Sequence, residues 1–95
     1  MGRNDSVIRW VETHRQELLR IRHVLHQNPE LGHQEHETTR LIQDELARYG
    51  AELLPGSYRT GAAALIRGTR EGPLLGIRED IDALPIPEKT GLPFS

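Results

Sequence analysis

Residues 74–95, LLGIREDIDALPIPEKTGLPFS, decide what kind of fold this sequence specifies. The stretch opens on an apolar run, carries four charges in the five residues 78–82, and then meets Pro85 and Pro87. Residues 74–82 read as a buried strand whose end delivers acids to one place. In an extended chain, side chains alternate between the two faces, so Arg78, Asp80 and Asp82 share one side while Ile77, Glu79 and Ile81 share the other. At roughly 3.3 Å per residue the two aspartates then lie about 7 Å apart along the backbone. Like charges so placed repel unless a divalent metal, the guanidinium of Arg78 or the backbone N–H groups of the following turn intervene. Ligands in α/β proteins gather at strand ends, where a rigid scaffold meets an open crevice. Asp80 and Asp82 are therefore candidate site residues, with Arg78 as support. The competing reading is a solvated turn holding an Arg–Asp pair, because D-x-D alone is a short and common pattern.

Upstream of this stretch, AELL (residues 51–54), GAAALIRG (61–68) and PLLGIRE (73–79) are short apolar runs separated by the turn-rich PGSYRTG and GTREGP. That punctuation predicts three strands, the last two pairing as an antiparallel hairpin. Residues 62–66 are apolar on both alternating faces and predict a strand covered above and below. Before the strands come two helical patterns. Val7, Val11, His14, Leu18, Ile21 and Leu25 recur at spacings of four and three, which predicts one helix over residues 6–26. Asp5 or Ser6 would cap its start, Arg20, Arg22 and His23 lie near its negative end, and Pro29 prevents its continuation. Glu35 and Glu37, then Leu41, Ile42, Leu46 and Tyr49, then Gly50, predict a second helix over residues 35–49 closed by a left-handed glycine. The fold class is α/β: two N-terminal helices followed by at least three strands of a mixed sheet, in one domain spanning residues 1–95.

Composition narrows the function. The formal charge is −2 with acids and bases interleaved, so neither nucleic acid nor an anionic membrane surface is an indicated partner, despite Arg15, Arg20 and Arg22 in the first helix. No cysteine is present, which removes disulfides and thiolate ligands and suits a cytoplasmic setting. No apolar run reaches membrane-spanning length, and the N-terminus lacks the apolar core of a signal peptide. The cluster HQNPELGHQEHETT brings His26, His33 and His36 near Glu30, Glu35 and Glu37, but the spacing does not match the H-E-x-x-H arrangement of a helical zinc site. His26 is expected to bond the turn at Asn28 and Pro29, and Glu35 and Glu37 to favour the positive end of the second helix. Trp10 is expected to be a partly buried anchor.

Taken together, LHQNPELGHQEHETT, TGAAALIRG and GPLLGIREDIDALPIPEKTGLPFS resemble the N-terminal part of the metal-dependent amidohydrolases. That family includes hippurate hydrolase, N-acyl-amino-acid amidohydrolases and indoleacetyl-amino-acid hydrolases. The resemblance covers nearly everything from Leu18 to Ser95 and implies an incomplete zinc-exopeptidase-like catalytic domain. It implies that Asp82 is the catalytic aspartate beside the metals, with Asp80 and Arg78 as supporting electrostatics. It implies a divalent metal cofactor, zinc, manganese or similar, whose ligands and whose glutamate base lie beyond TGLPF. The implied substrate is a small N-acyl amino acid and the implied partner a complementing C-terminal part; separately, an exposed sheet face or edge would favour self-association. On this reading the 95 residues are inactive alone. The alternative is a non-catalytic small α/β interaction module or a degenerate remnant.

Overall fold

The apolar stripe of the first helical pattern is interrupted at His14. In the computed structural model, which describes residues 4–56 and 59–95, residues predicted as one helix form α1 (Asp5–Thr13) and α2 (Arg15–Gln27). His14 between them has φ −103° and ψ 15°. Its backbone N–H still donates to the Trp10 carbonyl at 3.0 Å, and its own carbonyl accepts from Leu18 at 3.0 Å. The cause is local. The imidazole Nδ1 lies 2.8 Å from the same Trp10 carbonyl, and the ring stacks on the indole at 3.9 Å and 13°. A carbonyl only accepts, so Nδ1 carries the proton. Side chain and backbone of one residue share a single acceptor, which distorts the helical ladder at that point. Trp10 is 43% exposed, and its ring stacks on His14. The residue preceding α1 is Asn4, which makes no side-chain capping bond, so neither Asp5 nor Ser6 takes the predicted place.

The described residues fall into two units, one built from the chain up to Asn28 together with Pro87–Ser95, the other from Pro29–Ile86. In the first, the end of α2 is closed by Asn28, whose side-chain amide donates to the Val24 carbonyl at 2.8 Å. The last residues of the chain run beside α2: Gln27 donates to the Pro93 carbonyl at 2.9 Å, and the Phe94 ring stacks on His23 at 4.0 Å and 6°. His26 Nε2 lies 2.8 Å from Glu88 Oε1, so it pairs with the tail and not with the turn at residues 28–29.

In the second unit, α3 (His36–Arg48) matches the predicted second helix to within a residue at each end. Gly50 has φ 85°, its N–H donates to the Ala47 carbonyl at 3.1 Å, and the Ala51 N–H donates to the Leu46 carbonyl at 2.9 Å. These two bonds make the paired closure that a left-handed residue after a helix permits. The chain then enters β1 (Glu52–Leu53), which packs against α3 and pairs antiparallel with β2 (Ala64–Leu65) in the register Glu52 to Leu65 and Leu53 to Ala64. The ladder is extended by Leu54 donating to Ala63 at 2.8 Å.

Three expectations fail here. The pairing joins the first and second apolar runs and not the second and third, the sheet is two-stranded and antiparallel and not mixed, and residues 74–82 form no strand. Leu74, Leu75 and Ile77 are 86%, 83% and 83% exposed, and Ile66 is exposed too, so neither run is covered on both faces. Among the described residues no apolar side chain is fully buried; the buried ones are Glu35, Thr38 and Thr39. Apolar, β-branched sequence reads as strand only when neighbouring strands pair with it, and the described residues supply none for residues 74–82.

Gly50→Ala forces a side chain into the left-handed region at a cost of about 1–2 kcal/mol. The variant is expected to fray α3 at its C-terminal end, read as faster amide exchange at Gly50→Ala and Ala51 with the first turn of α3 unchanged.

Candidate functional site

Asp82 lies in irregular chain and is exposed, and the contacts around it come from residues 29–34. The Ala83 N–H donates to the Glu30 carbonyl at 2.7 Å. On the other side of the same residue, the Glu30 carboxylate accepts from two backbone N–H groups in the first turn of α3: Thr38 at 2.6 Å and Glu37 at 3.2 Å. Helix N-termini leave their first N–H groups without intrahelical partners. Glu35, in the cap position itself, supplies no side-chain bond, so Glu30 meets that need from five residues upstream. The Thr38 hydroxyl and N–H hold the Glu30 carboxyl below the ordinary glutamate value; partial burial opposes them, and the Glu37 N–H and the nearby His36 add smaller downward effects. Glu35 is buried and turned elsewhere: its Oε1 accepts from the Thr60 hydroxyl at 3.4 Å, while the Thr39 hydroxyl oxygen accepts from the Gly61 N–H at 2.7 Å.

Between Glu30 and α3 the chain turns, with the Gln34 N–H donating to the Leu31 carbonyl at 2.9 Å and His33 at φ 67°. Histidine is among the residues that tolerate this left-handed conformation. Gly32 in the same turn faces the acid: a Cβ built there would lie 3.8 Å from Asp82 Oδ2. That is ordinary contact and not a clash, so glycine leaves this side of the carboxylate open.

The structure brings the NPELG segment to the DIDALP segment, and Arg78 to Asp80 at 3.3 Å, both side chains largely exposed. An ion pair so exposed contributes about 0–1 kcal/mol. Asp82 is not joined to either: among the described residues its carboxylate has no hydrogen-bond or ion-pair partner. The shared-face geometry expected of a strand is therefore replaced by an Arg78–Asp80 pair beside a separate, open Asp82. Glu30 is the residue that sequence reasoning missed. Its signal was present, an acid upstream of a helix whose cap position carries no serine, threonine, aspartate or asparagine.

A divalent metal needs several convergent donors. Among the described residues no group of three or more histidines or acids is placed to hold one. No helix of the described residues is long and apolar enough to cross a membrane.

Comparison with known proteins identifies relatives over most of the chain. It is 47% identical over 85 residues to an N-acetyl-L-cysteine deacetylase of Bacillus subtilis, covering 90% of this chain and 20% of that protein. It is 46% identical over 79 residues to an N-acetyldiaminopimelate deacetylase of Listeria innocua, covering 82% of this chain and 21% of the relative. It is 37% identical over 78 residues to a hippurate hydrolase of Campylobacter jejuni, covering 82% and 20% respectively. The chain thus spans about a fifth of the length of these curated relatives. No family model and no solved structure matches it.

Glu30 makes α3 sensitive to acid. Because its folded value is lowered, the stability it contributes is fully present above the ordinary glutamate value of 4.5 and is lost as pH falls through the lowered one. Far-ultraviolet circular dichroism of the wild type is expected to show a loss of helicity below pH 4.5 that Glu30→Gln lacks, the variant being less helical at neutral pH. An identical acid transition in both would remove the role.

Proposed function

Because the chain is homologous to amidohydrolases of the deacetylase and hippurate hydrolase kind, over most of its own length and a fifth of theirs, we propose that residues 1–95 are the N-terminal segment of a metal-dependent amidohydrolase's catalytic domain. The reaction is hydrolysis of the amide bond of a small N-acyl amino acid, giving a carboxylic acid and the free amino acid. The observation that carries this reading is the identity of 37–47% to proteins whose names all denote removal of an acyl group from an amino acid nitrogen. Asp82 is this chain's contribution to the active site. Its open carboxylate is a fixed negative charge able to orient a neighbouring group or hold a proton. Arg78 and Asp80, paired beside it, make a smaller electrostatic contribution.

A zinc, manganese or similar ion would supply carbonyl polarisation and an activated water in the complete enzyme. On this reading the ligands lie in the part of the relatives that residues 1–95 do not match, and residues 1–95 without that part do not hydrolyse the substrate. The reaction belongs in the cytoplasm, in keeping with a sequence free of cysteine. Exposure of Leu74, Leu75 and Ile77 favours a second reading, an interaction module that associates without catalysis.

The test mixes the 95-residue chain with the part of the Bacillus subtilis deacetylase that follows its matched region, adds zinc or manganese, and follows release of amino acid from N-acetyl amino acids and hippurate. Hydrolysis is expected only when both polypeptides are present, and Asp82→Asn is expected to lower it about 10–100-fold. Association without hydrolysis would support the interaction module. Turnover undiminished in Asp82→Asn would remove that residue from the mechanism.

A further inference from the structure

We propose that Glu30 is the positioning residue for Asp82: one end of it is fixed by the first turn of α3, and the other holds the peptide unit that follows the aspartate. The catalytic meaning of this assignment rests on the role given to Asp82 above, while its geometry does not. The Ala83 N–H that donates to the Glu30 carbonyl at 2.7 Å belongs to the planar unit that also contains the Asp82 Cα and carbonyl. Holding that N–H therefore fixes the origin of the Asp82 side chain and leaves it only its own rotamers. The carbonyl that does the holding is itself restrained, because the Glu30 carboxylate is tied by both oxygens to the Glu37 and Thr38 N–H groups. A residue with a shorter or apolar side chain could present the same carbonyl, but without an acceptor reaching α3 it would be free to rotate away.

Two further features suit the arrangement. Pro85 restricts the backbone just beyond the clamped unit. Gly32, on the turn between Glu30 and α3, passes close to Asp82 Oδ2 while adding no side chain, so the same segment that fixes the aspartate's backbone leaves its carboxylate accessible. The two motif-bearing stretches, far apart in sequence, are in this way joined through a single residue. The role assigned to Glu30 runs through its contacts to Ala83, Glu37 and Thr38 and not through substrate.

The alternative is that Glu30 only caps α3 and its bond to Ala83 is incidental. Nitrogen-15 NMR of the full chain separates the two, because a cap acts on α3 amides and a clamp also acts on Ala83. The measurement is made in Asp82→Asn, so that Ala83 does not report its neighbour's own titration, and is repeated with His36→Gln, the charged neighbour acting on Glu30. The Ala83 amide shift is expected to titrate with the same midpoint as the Glu30 carboxyl. Glu30→Ala is expected to speed Ala83 amide exchange about tenfold, within what one hydrogen bond contributes. Glu30→Gln, which keeps one acceptor oxygen, is expected to retain most of the protection and lose the titration.

An Ala83 amide that stays flat while the α3 amides follow Glu30 would overturn the assignment. Should Glu30→Ala unfold the unit, the Ala83 titration in Asp82→Asn still decides. Failure of the complementation assay would remove the catalytic role of Asp82 without altering any of these signals, so the two ideas fail separately.

Discussion

The second unit depends on a carboxylate placed at the start of a helix. With no fully buried apolar side chain among the described residues, the loops of Pro29–Ile86 are tied down by polar contacts to the first turn and a half of α3. Glu30 meets the Glu37 and Thr38 N–H groups, Thr39 meets Gly61, and Glu35 meets Thr60. The helix N-terminus is the right place for such a concentration, since its free N–H groups and partial positive charge favour anionic and oxygen-bearing partners. The buried residues of the unit, Glu35, Thr38 and Thr39, are polar for the same reason.

Features set by neighbours in sequence were legible and features set by distant partners were not. The bounds of α3 and its glycine closure follow from a periodic stripe and one residue able to take positive φ, and both are present. The first helical stripe was equally legible, yet the break at His14 was not, because it depends on an imidazole reaching back to the Trp10 carbonyl. The run at residues 74–82 was read as a strand from composition. Strand is a relation between segments, and the two-stranded ladder of β1 and β2 leaves that run unpaired. The site was legible in its acids but not in their arrangement: Arg78 and Asp80 meet, Asp82 stands apart, and Glu30, passed over in the sequence, connects it to α3.

The kinship to deacetylases and hippurate hydrolase gives these local facts a common setting. Segments that look over-specified for a small chain, such as a clamped aspartate with an open carboxylate beside a glycine, are economical if other residues converge on the same place. A tight turn at residues 31–34 with a histidine at φ 67° is a strained feature of the kind that persists where surrounding structure fixes it.

The exposed apolar run at residues 74–77 ends against Arg78, Glu79 and Asp80. Short, unpaired segments rich in leucine and isoleucine template their own stacking, and charges at their borders act as gatekeepers by making each added copy repel the last. The three residues carry both signs, so protonating Glu79 and Asp80 leaves Arg78 unopposed while high salt screens all of them. Self-association of the isolated polypeptide through this run is accordingly opposed by three neighbouring side chains, and high salt is expected to weaken that opposition.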